Sequence, residues 1–145
     1  VDNMYLWVNT IPANFSNYIE TCSTPLNPGF MNALLPSIDT FSNYSAMFEA
    51  NVNALDINDP EYNDKILQYN MKYKHLLKQF NVAKGNPISF WWKSILYKQN
   101  DEGSYFYFPL ITQEIQHNCS NETVSNAIKE TSQIILNAAQ YLDIN

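Results

Sequence analysis

At 145 residues, with a net charge of −6, a hydrophobic fraction of 46% and 14% aromatics, the chain fits one packed domain and lacks the composition of a disordered segment. All eight basic residues are lysines, so no guanidinium fork can grip phosphate or a guanine edge, and the acidic balance argues against nucleic-acid binding. No stretch approaches the roughly 20 apolar residues of a membrane-spanning helix, so the reading is a single soluble helical domain over residues 1–145.

Near the start, Ile11, Phe15, Tyr18 and Cys22 recur at helical spacing behind Thr10, a residue type that caps helices. A short helical turn is expected from Pro28 to Leu35. The next helix spans about Pro36 to Leu55, where Ile38, Phe41, Ser45, Phe48, Val52 and Leu55 keep a bundle-seam alternation. Pro36 marks a kink or a fresh start.

A third helix is written from about Asp59 to Val82. Asp59 can cap it, Pro60 suits the first position and Glu61 complements the dipole. Tyr62, Ile66, Tyr69, Tyr73, Leu76, Leu77 and Phe80 form its stripe, and Glu61 can pair with Lys65 one turn on. Lys72, Lys74 and Lys78 fall on its polar side, and His75 also lies away from the stripe. Gly85 and Asn86-Pro87 end it.

Asn86-Pro87 then reads as a cap and first-turn proline for a helix carrying Ile88, Trp91, Trp92, Ile95 and Leu96. The alternative is a hairpin: Asn100-Asp101-Glu102-Gly103 is turn-like and Ser104 to Phe108 is β-prone, so residues 89–98 can pair with 104–112. Pro109 starts a short helix with Ile111, Ile115 and Cys119 on one side. The last helix covers about Asn121 to Leu142, with Val124, Ala127, Ile128, Thr131, Ile135, Ala138, Ala139 and Leu142 as its stripe. The fold class is therefore all-α, a bundle of five or six helices, with a small hairpin near residues 96–108 in the second reading.

Cys22 and Cys119 are the only cysteines, each near the end of an expected helix. A disulfide between them ties the N-terminal segment to the last helices and implies a secreted or periplasmic protein; free thiols would imply a cytoplasmic one. Glycosylation is not read from the sequons at Asn14, Asn43, Asn118 and Asn121, which a chain this rich in Asn, Ser and Thr produces by chance.

Catalytic motifs are missing. No G-x-S-x-G, P-loop or dinucleotide fingerprint occurs, and no cofactor is expected. Glu114-Ile115-Gln116-His117 is half of a carboxylate-bridged metal motif, but no second half exists. A zinc site from Cys22, Cys119 and His117 lacks the close ligand pairs such sites use. His117 and Cys119 would diverge on a helix, so they cannot act as a base and nucleophile there.

Aromatic clustering is the most informative feature. Phe90-Trp91-Trp92 and Tyr105-Phe106-Tyr107-Phe108 bring seven rings into one short stretch, more than a single core can cover. The expected function is a non-enzymatic protein-binding module of inhibitor, immunity or receptor-interaction type, with Trp91, Trp92, Tyr105, Phe106 and Tyr107 as its contact residues. One alternative is a carrier of a small apolar or aromatic ligand held between helices by the same rings. Another is an enzyme with a site near Glu114 and His117.

Overall fold

Helix α6 (Asn121–Tyr141) is the axis of the fold, and the computed structural model describes residues 1–88, 91–99 and 103–143 around it. Its start is written in the sequence: the Ser120 hydroxyl accepts from the Thr123 amide at 3.1 Å, while Thr123 Oγ1 accepts from the Ser120 amide at 3.3 Å. Such a reciprocal cap satisfies two amides that the helix itself leaves open. Every residue of the expected stripe, from Val124 to Leu142, is buried. Small Ala138 and Ala139 let a neighbour approach closely.

That neighbour is α3 (Leu35–Asn53), which packs along α6 more extensively than any other element. Ile38, Phe41 and Phe48 of α3 are buried, while Ser45 and Val52 are half-covered. Pro36 falls in the first turn of α3, where its missing amide costs nothing. A 3-10 turn over Phe30–Leu34 precedes it, as the expected short turn, and buries Met31 and Leu34.

The N-terminal helix α1 (Asp2–Asn14) begins well before the expected cap, and Thr10 lies inside it. Met4, Val8 and Ile11 are spaced four and three apart, are buried, and hold this earlier start; Asp2 complements the dipole. Pro12 removes one helical hydrogen bond, and the helix ends two residues later, before the single turn α2 (Ser16–Ile19). The Tyr5 hydroxyl donates to the Asp39 carboxylate, tying α1 to α3.

Helix α4 (Tyr62–His75) and the 3-10 turn over Leu76–Phe80 replace the single long helix expected from Asp59 to Val82. Asp59 does close the chain into α4, accepting from the Glu61 amide at 2.8 Å. It also takes Lys65 at 2.7 Å, whereas Glu61 lies 3.9 Å from that ammonium. Lys65 and the Glu61 amide together hold the Asp59 carboxyl below its ordinary range. None of α4 is buried: Tyr62, Ile66 and Tyr69 are half-covered and Tyr73 is 72% exposed. The expected stripe is only partly used because α4 lies on the outside of the bundle. The Phe48–Tyr69 edge contact and Lys72, which donates to the Tyr141 carbonyl, tie it down.

The tract after Phe80 is a hairpin region, and the helix expected on Ile88, Trp91, Trp92, Ile95 and Leu96 does not form at 91–96. Its backbone groups pair across the chain instead: Val82 amide to Lys93 carbonyl at 2.7 Å, Asn86 to Trp92 at 2.7 Å, and Ile95 to Phe80 at 2.8 Å. Long-range pairing of β-prone aromatics has overridden a local helical spacing. Strands β1 (Tyr97–Gln99) and β2 (Tyr105–Tyr107) then pair antiparallel, Tyr97 opposite Tyr107 and Gln99 opposite Tyr105. Residues 89–90 and 100–102, where the turn is expected, lie outside the described residues.

Helix α5 (Pro109–His117) returns to α6, burying Leu110, Ile111 and Ile115. Cys22 and Cys119 form a disulfide across 97 residues, with Cα atoms 4.6 Å apart. Ser23 donates its amide to the Cys119 carbonyl at 2.8 Å, and Thr24 Oγ1 accepts from the Asn121 amide at 2.6 Å. The described residues thus form an all-α bundle of six α-helices with one small two-stranded hairpin.

Candidate functional site

Side chains alternate across a strand, so the register places Tyr97, Gln99, Tyr105 and Tyr107 on one face of the hairpin. Lys98 and Phe106 take the other. Phe106 is half-buried there, with its ring 6.3 Å from that of Phe15. Among the described residues of the two strands, the tyrosine face carries no charged side chain.

Rings meet along this face in sequence. Trp92 stands edge-on to Tyr97 at 5.7 Å, and Tyr97 edge-on to its diagonal neighbour Tyr105 at 5.9 Å. The Trp92 indole donates to the Tyr97 carbonyl at 2.7 Å, which fixes the ring plane. On the far side, Trp7 of α1 stacks on Tyr107 with centroids 4.5 Å apart and planes 12° apart. Trp7 also meets the ring of Phe108 edge-on at 5.2 Å.

Phe108 anchors the platform to the core. It is fully buried and adopts a left-handed backbone, φ 47°, immediately before Pro109. That conformation costs a side-chain-bearing residue about 1–2 kcal/mol, which burial of its ring offsets. Its carbonyl accepts from the Ile111 and Thr112 amides and so opens α5.

Of the five residues expected to make contacts, Trp91 is 69% exposed and Tyr105 52%. Tyr107 is also exposed, Trp92 is half-covered, and Phe106 points to the opposite face. Tyr97 and Trp7 join the platform without having been singled out from sequence. The hairpin register would have indicated Tyr97; nothing local could have indicated Trp7, which arrives from the other end of the chain.

Other concavities are open to solvent. A groove of about 310 Å³ runs between α3 and α4, lined by Phe48, Val52, Tyr69 and Tyr73. Glu114 and His117 stand on α5 but line different clefts. Glu114 shares one of about 210 Å³ with Glu130 and Thr123, and His117 shares one of about 400 Å³ with Thr21, Ser23 and Ser120 beside the disulfide. Among the described residues no three of His, Cys, Asp and Glu gather as metal ligands, and no helix is long and apolar enough to cross a membrane.

No protein-family model matches this chain, and no curated protein matches it in sequence.

Proposed function

We propose that this protein is a non-enzymatic binding module, exported to an oxidising compartment, that docks another protein on the aromatic face of its hairpin. The observation that carries the reading is the exposure of Trp91, Tyr97, Tyr105 and Tyr107 beside a core that already buries a full complement of aliphatic residues. Exposed aromatic rings close together in the structure are a feature of protein contact surfaces, and Tyr97, Tyr105 and Tyr107 share one face. Tyrosine suits the task, since it offers a large area and a hydroxyl with few rotors to immobilise.

Preorganisation supports the same reading. Stacking on Trp7, edge contacts and the Trp92–Tyr97 hydrogen bond hold the rings before a partner arrives, which reduces the ordering cost of association. The Cys22–Cys119 disulfide is compatible with an extracellular or periplasmic location.

The test compares the immobilised wild-type protein with a Trp91→Ala/Tyr105→Ala/Tyr107→Ala variant in fluids from the source organism. A protein retained by the wild type and lost from a variant with unchanged circular dichroism is the expected result. Equal retention by both would remove the aromatic face from consideration.

A further inference from the structure

Helix α4 presents a second surface, facing away from the bundle and independent of the aromatic platform. Asp64, Leu67, Met71 and Lys74 follow one another at intervals of three, four and three, which gathers them within an arc of about 80° on an α-helix. All four are exposed, Leu67 at 57% and Met71 at 53%. Lys78 continues the series in the following 3-10 turn. This spacing is that of a coiled-coil seam, with two apolar residues in the middle and charges at the ends.

The charges are ordered along the helix. Acidic Asp59, Glu61 and Asp64 crowd its N-terminal end, and Lys72, Lys74 and Lys78 its C-terminal end. Asp59 is used by Lys65, and Lys72 by Tyr141. Asp64, Lys74 and Lys78 have no ion pair among the described residues. Lys74 and Lys78 are one turn apart and repel.

We infer that two copies of this chain associate through the outer face of α4, antiparallel about a two-fold axis at the level of position 69. An antiparallel pairing centred at position 69 sets Leu67 against Met71 of the second copy and Asp64 against its Lys74. Each pair occurs twice, so the face is complementary to itself, as an isologous interface requires. The partner is thus specified by register as well as by sign: a parallel pair would set Asp64 on Asp64 and Lys74 on Lys74. An interface of one helix per protomer is below the standard size, so the dimer is weak and concentration-dependent.

Sedimentation equilibrium from low micromolar to about 1 mM tests this, those loadings bracketing the weak affinities expected of so small an interface. The mass is expected to rise from that of one chain toward two. Leu67→Asp should abolish the rise while leaving the circular dichroism unchanged, because Leu67 is exposed in the monomer. Asp64→Lys and Lys74→Asp should each weaken the dimer tenfold or more, and the double reversal should restore it. A wild-type monomer at every loading would overturn the inference and leave the face to a different protein. A dimer indifferent to Leu67→Asp, or single reversals that the double variant does not rescue, would overturn it too. Tyr105→Ala, on the aromatic platform, should leave the dimer intact.

Discussion

The indole of Trp7 lies against the ring of Tyr107, 4.5 Å between centroids and 12° from parallel, and so joins the first helix of the chain to the last strand. Stacked aromatic pairs contribute about 0.5–1.5 kcal/mol beyond the area they bury. A double-mutant cycle with Trp7→Ala and Tyr107→Ala, read by urea unfolding, should return a coupling energy in that range. A coupling near zero would mean that the stack adds nothing beyond the area each ring buries.

Disulfide closure across 97 residues should matter more than any single contact. The chain-entropy model assigns a loop of this length about 4.7 kcal/mol. A Cys22→Ala/Cys119→Ala variant should lose about 2–5 kcal/mol in denaturant. Intact mass of the oxidised protein should fall two hydrogens below that of the reduced chain.

Thr131 is fully buried on the core stripe of α6, and its hydroxyl has no hydrogen-bond partner among the described residues. An unpaired buried hydroxyl costs about 1–3 kcal/mol. Thr131→Val keeps the branched shape and removes the polar atom, so it should stabilise by about 1 kcal/mol, roughly 2–4 °C in Tm for a chain of this size. A lower Tm would show that the hydroxyl is satisfied in solution.

Alkaline pH should loosen the join between α1 and α3. The hydrogen bond to Asp39 is the main cause raising the Tyr5 phenol above its ordinary value, followed by burial and the Asp39 charge. A raised folded value means that the Tyr5 contribution is complete below the ordinary phenol range, near 10, and is lost as pH climbs through the raised value. Tm measured from pH 8 to 12 should therefore fall less steeply in Tyr5→Phe than in the wild type. Parallel curves would exclude the Tyr5–Asp39 bond from the loss.

Helices α3 and α6 were legible in sequence because most of the α3 stripe and all of the α6 stripe face the core. Residues such as Ile38, Phe41, Ile128 and Ile135 repeat at the helical period and are all buried. Helix α4 has as clear a period, yet Tyr73 on its stripe and Leu77 in the 3-10 turn that continues it stay exposed, since periodicity reports an apolar face and not what covers it. The segment around Trp91 and Ile95 has helical spacing too, but its amides and carbonyls find partners on residues 80–86. Local spacing has no access to that competition. The aromatic runs pointed to the hairpin as a surface of interest, whereas the inward turn of Phe106 and the arrival of Trp7 depend on strand register and chain return.

Protein docking on the hairpin face is the central claim, and site-specific photo-crosslinking tests it most directly. A photoreactive phenylalanine placed at Tyr105, on the tyrosine face, is compared with one at Asn51, exposed on α3. In fluids from the source organism, irradiation should give one discrete protein adduct from position 105, none from position 51, and none from position 105 when Trp91→Ala and Tyr107→Ala are added. No adduct from position 105, or the same adduct from both positions, would contradict the account.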